Sequence, residues 1–541
     1  MPGKRKTPTD TDALELGLRQ YQPQRVAASR NGMVATQHYE ATRAGEEILA
    51  NGGNAIDAAC ASALALGVCE PAASGIGGQT MMMIHVAETG KTIALDGSSR
   101  APNRAMADNV MGDAQRFRGH RATTVPSSLA TYDYALKQYG TKTFEEIAQP
   151  AIRLATEGYT VSILQNALTK RELKHLKAHT AAPFFLRNGK RPYPVGSNFQ
   201  QPVLAKTLKR LAAKGVEDFY LGSIAKKIHK DMRAHGGLLH LDDLSQIPHP
   251  IERNPLSGRF DGHRFLTFPP PGAGRTLVEM FHILEEFTPK LRNIDTPKGA
   301  VLLAHVIRQA FIDRRDRPFD PAFYQQIDDK RMMSKRYAQL IARNIRRQIK
   351  SSGETTHLSV MDKAGNAVGL TQSIERVYGS FSCAPDLGFL YNNYMSCFET
   401  EDISHPYYLR PNAAPWASVA PTIGFRGKRP WLVIGSPGSQ RITPAIVQVL
   451  LRLRNQSPFD AIEAPRLHCS LDGKVSLEVS RMRSDIPDAL SRGGFDLDFR
   501  DPYSFYLGCV QLVLRERNQF TGVADLRRDG SAGGPKSIQT T

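Results

Sequence analysis

The stretch TTHLSVMDKAGNAVGLTQSI, Thr355 to Ile374, decides how the rest of this chain is read. It reads as a strand, a tight turn at Lys363-Ala364-Gly365-Asn366, and a second strand from Ala367 to Ile374. Before it stands Ser351-Ser352-Gly353-Glu354, a small and flexible loop that follows a basic helix. The character of the chain changes at this point. Residues from about 125 to 350 read as mainly helical with loops, and the sequence after 351 reads as strand-rich. A β-branched Thr where a loop enters a strand is ordinary in itself, because such residues favour strands.

Working outward, Thr42 to Leu49 has helical spacing and stops at Asn51-Gly52-Gly53. Asn54 is the expected N-cap of a second helix, from Ala55 to about Val68, whose small residues allow close packing against a sheet. The turn Ser74-Gly75-Ile76-Gly77-Gly78 lacks both the P-loop lysine and the dinucleotide-fold spacing. It reads as a tight turn near an active-site floor. Met81 to Val86 and Thr92 to Leu95 read as a hairpin, and Phe144 to Ala155 and Val203 to Ala212 as helices. Residues 1–25 are expected to be disordered, and the tail after about Asp529 to be flexible.

The 541 residues are 41% hydrophobic and 23% charged, a globular composition. The net charge of +18 raises the question of nucleic acid. The densest basic run, Arg343 to Lys350, reads instead as a solvated helix face, with Ile345 and Ile349 on its inner side and no aromatic stripe. Nucleic acid is not an expected partner. None of the six cysteines stands in a Cys-x-x-Cys pair, and His85, His240, His405 and His468 show no ligand spacing, so no metal or cofactor is expected. The basic, then polar, N-terminus lacks the apolar core of a signal peptide, and no apolar run is long enough to span a membrane. With dispersed cysteines, the expectation is a cytoplasmic protein without a membrane partner.

Several blocks then fall into one order. They are Gly32 to Gly78, Val125 to Thr141, Pro150 to Ser162, Gly236 to Leu244, the hairpin itself, GSPGSQRI (Gly435 to Ile442), EAPRLH (Glu463 to His468) and ADLRRDG (Ala524 to Gly530). Together they resemble the gamma-glutamyltranspeptidase family over roughly 500 residues, far more than one short motif carries. The resemblance implies an α+β fold, the four-layer αββα sandwich of N-terminal nucleophile hydrolases. It also implies one chain that cuts itself between Glu354 and Thr355. The large subunit would be residues 26–354 and the small subunit 355–541. The chemistry is coherent: a Thr hydroxyl needs a base, and cleavage leaves Thr355 with a free α-amine whose pKa lies near working pH. No His–Asp pair is then required, and His357 is expected to pack or hydrogen-bond.

By motif, Thr355 matches the nucleophile and Ser373 the hydroxyl that orients it. Gly438 and Ser439 match the backbone pair of an oxyanion hole. Asn393 belongs to the family's Asn-Asn signature, and Arg528 to Gly530 look like a structural ending. The substrate positions depart from the pattern. Ser98 stands where an Arg holds the glutamyl carboxylate, with Arg100 two residues on. Cys397 stands where an acid holds the ammonium group. Tyr394 and Glu375 occupy two further contact positions, and Ser418 is the one retained member of a serine pair. Loss of a charge partner weakens discrimination for a charged substrate. The expected activity is therefore a gamma-glutamyl hydrolase or transpeptidase using water or an amine as acceptor. One alternative is an amidohydrolase of the same fold with another acyl group, cephalosporin-acylase-like; the other is a catalytically silent binding paralogue.

Overall fold

The computed structural model describes residues 24–109, 113–316, 333–344, 356–536 and 538–539. Its centre is the hairpin Thr356–Asp362 and Ala367–Ser373, paired antiparallel with Thr356 opposite Gln372 and Met361 opposite Ala367. Asp362 builds the turn: its Oδ1 accepts from the N–H groups of Gly365 and Asn366, both at 2.9 Å, and Gly365 has φ 103°. Its Oδ2 accepts from Ala55 N at 2.9 Å, so the same carboxylate holds the N-terminus of a helix.

The hairpin lies inside a seven-stranded sheet in the order Ser531–Gly533, Gly32–Thr36, Thr356–Asp362, Ala367–Ser373, Gln79–Val86, Lys91–Gly97, Ile251–Arg253. An eight-stranded sheet runs Ile538–Gln539, Val26–Ser29, Gln519–Ala524, Gln511–Glu516, Arg429–Gly435, Thr422–Arg426, His263–Thr267, Leu256–Phe260. All neighbours in both sheets are antiparallel.

Strand alternation then dictates the layers. Met81, Met83, Met361 and Ala367 of the first sheet meet Ile423, Val433, Val513 and Phe520 of the second, forming a core between the sheets. The intervening residues Met82, Ile84, Leu358, Val360 and Leu370 face the opposite way, onto helices Tyr39–Ala50 and Ala55–Cys69. Likewise Phe265, Leu432, Ile434 and Leu512 pack on Gly274–Glu285, Pro297–Asp316 and Ile442–Arg452. The result is the expected αββα sandwich.

Asn54 caps the Ala55–Cys69 helix through a reciprocal box with Asp57. Small residues let this helix approach its neighbour closely: a Cβ on Gly45 would lie 2.3 Å from Ser62 Oγ.

Three expectations need correction. The described part of the tail after Asp529 is not loose. Ser531–Gly533 pairs with Gly32–Thr36 and is buried, and a Cβ on Gly534 would sit 2.2 Å from Gly32 O. Glycines there permit close backbone approach. The stretch read as helices and loops also contains the hairpin Leu256–Phe260 and His263–Thr267, turned at Asp261-Gly262 with φ 48° and 77°. Of the segment expected to be disordered, Arg25 is buried, and its Nη1 donates to the carbonyls of Asp525, Arg528 and Gly530. Residues 1–23 and residues 345–350 of the basic run Arg343 to Lys350, with both of its isoleucines, lie outside the described residues.

Candidate active site

Glu354 and Thr355 lie outside the described residues. Thr356, to which Thr355 is bonded, opens a central strand of the seven-stranded sheet. Its Oγ1 lies 2.6 Å from Gln37 Oε1 and 2.8 Å from Glu70 Oε2. One hydroxyl proton cannot serve both acceptors fully. Burial raises the Glu70 carboxyl, against the pull of Arg528 and Thr356. Arg528 Nη1 donates to Gln37 Oε1 and to Glu70 Oε1, both at 3.1 Å. Arg528 is thus more than a chain ending: it anchors both acceptors of the residue next to the junction.

His357 lies on the opposite face, fully buried between the sheets. Its Nδ1 is 2.9 Å from Thr371 Oγ1 and its Nε2 3.1 Å from Ser359 Oγ. Burial pushes its pKa down to about 3, which suits packing and not proton transfer near neutral pH.

Ser373 ends the partner strand, one residue beyond Gln372. Its Oγ accepts from Glu375 N at 2.7 Å, and the Tyr394 side chain neighbours both Ser373 and Gln79. The Glu375 carboxyl and the Cys397 thiol are neighbours. Burial raises Glu375, while Arg376, Cys397 and Arg441 pull it down. Burial followed by Glu375 raises the Cys397 thiol well above its usual value, so Cys397 is a neutral donor. The structure therefore gathers Ser373, Glu375, Tyr394 and Cys397 into one cluster. Gly77 and Gly78 form its floor: Cβ atoms there would fall 2.1 Å from Leu390 O and 2.2 Å from Ser373 O.

The loop beyond Ser373 is strained, with Glu375, Tyr378 and Phe381 at φ 77°, 62° and 59°. Such residues cost of order 1–3 kcal/mol each and need surrounding structure to hold them. The paired asparagines supply it. Asn392 Oδ1 accepts from Thr124 N and Tyr394 N, and its Nδ2 donates to Gly77 O. Asn393 Oδ1 accepts from Arg376 N at 3.1 Å, and its Nδ2 donates to Phe117 O at 2.9 Å. Asn393 is a buried loop clamp, with its amide already engaged.

A second cluster forms where strand Arg429–Gly435 turns into helix Ile442–Arg452. Gly438 has φ 117° and Ser439 φ 47°. Among the described residues neither of their N–H groups meets an acceptor, as an oxyanion hole requires. Ser439 Oγ donates to Ser418 Oγ at 3.3 Å. Arg314 reaches the same place, with Nη2 on Ala417 O at 2.5 Å and Nη1 on Ser418 Oγ at 3.4 Å.

Arg100 goes elsewhere. Its backbone bridges Val125, and its side chain lines a cavity of about 450 Å³ with Asn103, Asp243 and His249. That cavity shares no residue with the one bordered by Cys397. Ser98, at the family's Arg position, donates to Asp96 Oδ1 at 2.5 Å.

The gamma-glutamyltranspeptidase family profile matches residues 41–534. The chain belongs to the gamma-glutamyltranspeptidase family. Glutathione hydrolase proenzyme from Escherichia coli (strain K12) is 32% identical over 474 residues, 81% of this chain and 81% of that one. Acylase ACY 1 proenzyme from Pseudomonas sp. (strain V22) is 33% identical over 499 residues, 86% of this chain and 87% of that one. Among solved structures, cephalosporin acylase from Bacillus halodurans matches with a TM-score of 0.87 at 27% identity, covering 95% of this chain and 98% of that one. Family and fold together make the chain a hydrolase or acyltransferase of the N-terminal nucleophile class.

Within that family frame, four site residues were missed in the sequence. Gln37 and Glu70 fall inside the first family-like block without a motif of their own, and Gln79 follows its glycine turn. Arg314 sits in a helix rich in basic residues, where no local signal separates it from Arg308 or Arg315. One further group, His120, Asp231 and His235, brings three metal-capable side chains together. Asp231 accepts from Tyr391 OH at 3.1 Å, and the two imidazoles stack with centroids 4.3 Å apart. Near-parallel rings do not aim their nitrogens at one point, so the group reads as a hydrogen-bonded brace for the Asn-Asn loop.

Proposed function

We propose that this chain is a proenzyme that cuts itself between Glu354 and Thr355 and then acts on small amides through an ester on Thr355. What supports this is the position of Thr356 at the start of a central strand, beside the end of the Ser373 strand, together with a turn at Gly438 and Ser439 whose N–H groups meet no acceptor among the described residues. The freed α-amine of Thr355 takes the hydroxyl proton as Oγ attacks the substrate carbonyl, and the developing oxyanion is held by the two backbone donors. The amine leaves with that proton. Water or an acceptor amine then takes the acyl group and restores Thr355.

The leading substrate class is gamma-glutamyl amides, glutathione among them, as the name of the Escherichia coli relative indicates for that protein. A second reading, an acylase with a non-glutamyl acyl group, is favoured by Cys397 in place of an ammonium-binding acid and by Ser98 in place of Arg. The working unit is residues 26–354 together with 355–541. A reducing, cytoplasmic setting is part of the proposal, supported by six cysteines that are all free. The test is turnover of gamma-glutamyl-p-nitroanilide, with and without glycylglycine. Release of p-nitroaniline that Thr355→Ala abolishes supports the first reading. A self-cleaved protein that leaves this amide intact refutes it and favours the second.

A further inference from the structure

The turn at Gly438 and Ser439 holds a serine at φ 47°, a conformation that favours glycine because a Cβ there crowds the following carbonyl. Its neighbours are pinned by ordinary hydrogen bonds. Ser436 Oγ accepts from Cys509 N at 3.0 Å, and Gly438 O accepts from Arg441 N at 2.9 Å. Ser439 is held differently. Its carbonyl accepts from Ile442 N, its own N–H meets no acceptor among the described residues, and its side chain reaches Ser418 Oγ at 3.3 Å. A strained residue of this kind relaxes toward negative φ unless its surroundings prevent it, and rotation about N–Cα re-aims the N–H.

Ser418 is itself clamped. Arg314 grips three consecutive residues. Its guanidinium lies 4.4 Å over the Trp416 ring, its Nη2 donates to Ala417 O at 2.5 Å, and its Nη1 donates to Ser418 Oγ at 3.4 Å. The same segment is tied to the loop at Pro271 to Ala273: Ala417 N donates to Pro271 O at 3.1 Å, and Ala273 N donates to Val419 O at 2.8 Å. Arg314 and Ser418 are only 5% and 8% exposed, so water does not loosen these contacts. Arg314 stands in the last turn of helix Pro297–Asp316, and the grip therefore starts from a rigid element. A hydroxyl oxygen has two lone pairs, and Ser439 Oγ and Arg314 Nη1 both donate to that of Ser418. Each of these two bonds is long, and the link gains its stiffness from the other holds of Arg314 on the segment.

We propose that Arg314 is a positioning residue for the reaction: through Ser418 it holds Ser439 in its left-handed conformation and so aims the N–H groups that stabilise the oxyanion. This rests on the reading of the site under Proposed function. Arg314 touches no reacting atom in this role. Ser418, expected from its motif to meet the substrate, has its hydroxyl engaged by the turn instead. The scheme also gives the Ser439 side chain a use, as the handle by which the turn is held. It does not depend on which acyl group is bound, because every acyl group presents the same carbonyl oxygen to the turn.

The experiment follows p-nitrophenyl acetate, whose small acyl group asks little of the acyl pocket, and counts the release that Thr355→Ala abolishes, per self-cleaved chain. Misplacing a group by about 1 Å costs up to about a hundredfold, so Ser418→Ala is expected to lower kcat by about ten- to hundredfold with KM within about twofold. Arg314→Met should do the same. Arg314→Lys keeps the charge but loses the fork that spans Ala417 and Ser418, and should fall between. Ser439→Gly removes the strain and the handle together, so in that background Ser418→Ala should cost less than about twofold further. A change of general packing would cost the same in both backgrounds. The serine pair keeps the test decisive if Arg314→Met does not fold. A kcat unchanged in Ser418→Ala, a loss confined to KM, or an equal loss in both backgrounds overturns the inference. A wild type that does not cleave itself, or that cleaves itself and shows no Thr355-dependent release, defeats the proposed function instead.

Discussion

Replacing Arg528 with methionine should destabilise the protein by about 3 kcal/mol. Arg528 is 1% exposed, and its partner Glu70 is 12% exposed at the side chain. The guanidinium donates to Glu70 and to Gln37 at 3.1 Å each, and both accept from, or share a proton with, Thr356. Removing one partner of a buried pair costs about 3–5 kcal/mol, because the other charge is left stranded. The low end applies here: burial already raises the Glu70 carboxyl, and without Arg528 it escapes by taking a proton. For 541 residues the unfolding entropy is about 1 kcal/mol per kelvin, so the melting temperature should fall by about 3 °C. Differential scanning calorimetry of the variant reads this directly. The double variant Arg528→Met, Glu70→Gln leaves no charge behind and should recover at least half of the loss. A single variant that melts within about 1 °C of the wild type, or a double variant no more stable than the single one, would refute the coupling.

Three more perturbations test other parts of the site. A Cβ on Gly435 would lie 2.3 Å from His357 Cε1, and that ring is fixed by Thr371 and Ser359, so Gly435→Ala should cost about 1–3 kcal/mol in thermal stability. Ser373→Ala removes the acceptor of Glu375 N and should lower kcat by about tenfold or more, while Ser373→Thr keeps the hydroxyl and most of the activity. His357 titrates near 6.5 unfolded but is held at about 3 when folded. Its contribution is therefore full above pH 6.5 and declines as pH falls toward 3, by about 1.4 kcal/mol per unit. The carboxyls of Glu70 and Glu375, raised by burial, act with the opposite sign. The measurement is thus the difference in slope between wild type and His357→Asn in denaturant titrations from pH 7 to 5; equal slopes would contradict it.

The local signals in the sequence carried far. The hairpin turn, the Asn54 cap and the strand read over Met81 to Val86 all follow from short-range chemistry, and the fold keeps each, starting the strand two residues earlier at Gln79. The hydroxyl of Ser373 and the turn at Gly438-Ser439 came from position within family-like blocks; in the fold Ser373 Oγ accepts from Glu375 N, and Ser439 Oγ donates to Ser418 Oγ. What escaped was long-range. Ser531–Gly533 is three small residues whose pairing with Gly32–Thr36 spans almost the whole chain, and small residues announce no strand. Arg528 meets Glu70 across 458 positions, and Arg314 meets Ser418 across 104. A basic residue in a basic chain shows its partner only once the layers are stacked. Arg100 shows the converse: proximity in sequence to the family's Arg position did not put its side chain in the same cavity.

The claim on which the rest depends is that Thr355 frees itself. Intact mass spectrometry of the purified protein, beside a Thr355→Ala variant, tests it most directly. The expected result is two fragments meeting at Glu354 and Thr355 in the wild type and one full-length chain in the variant. A single uncut chain in both, under conditions where both are folded, would contradict the account.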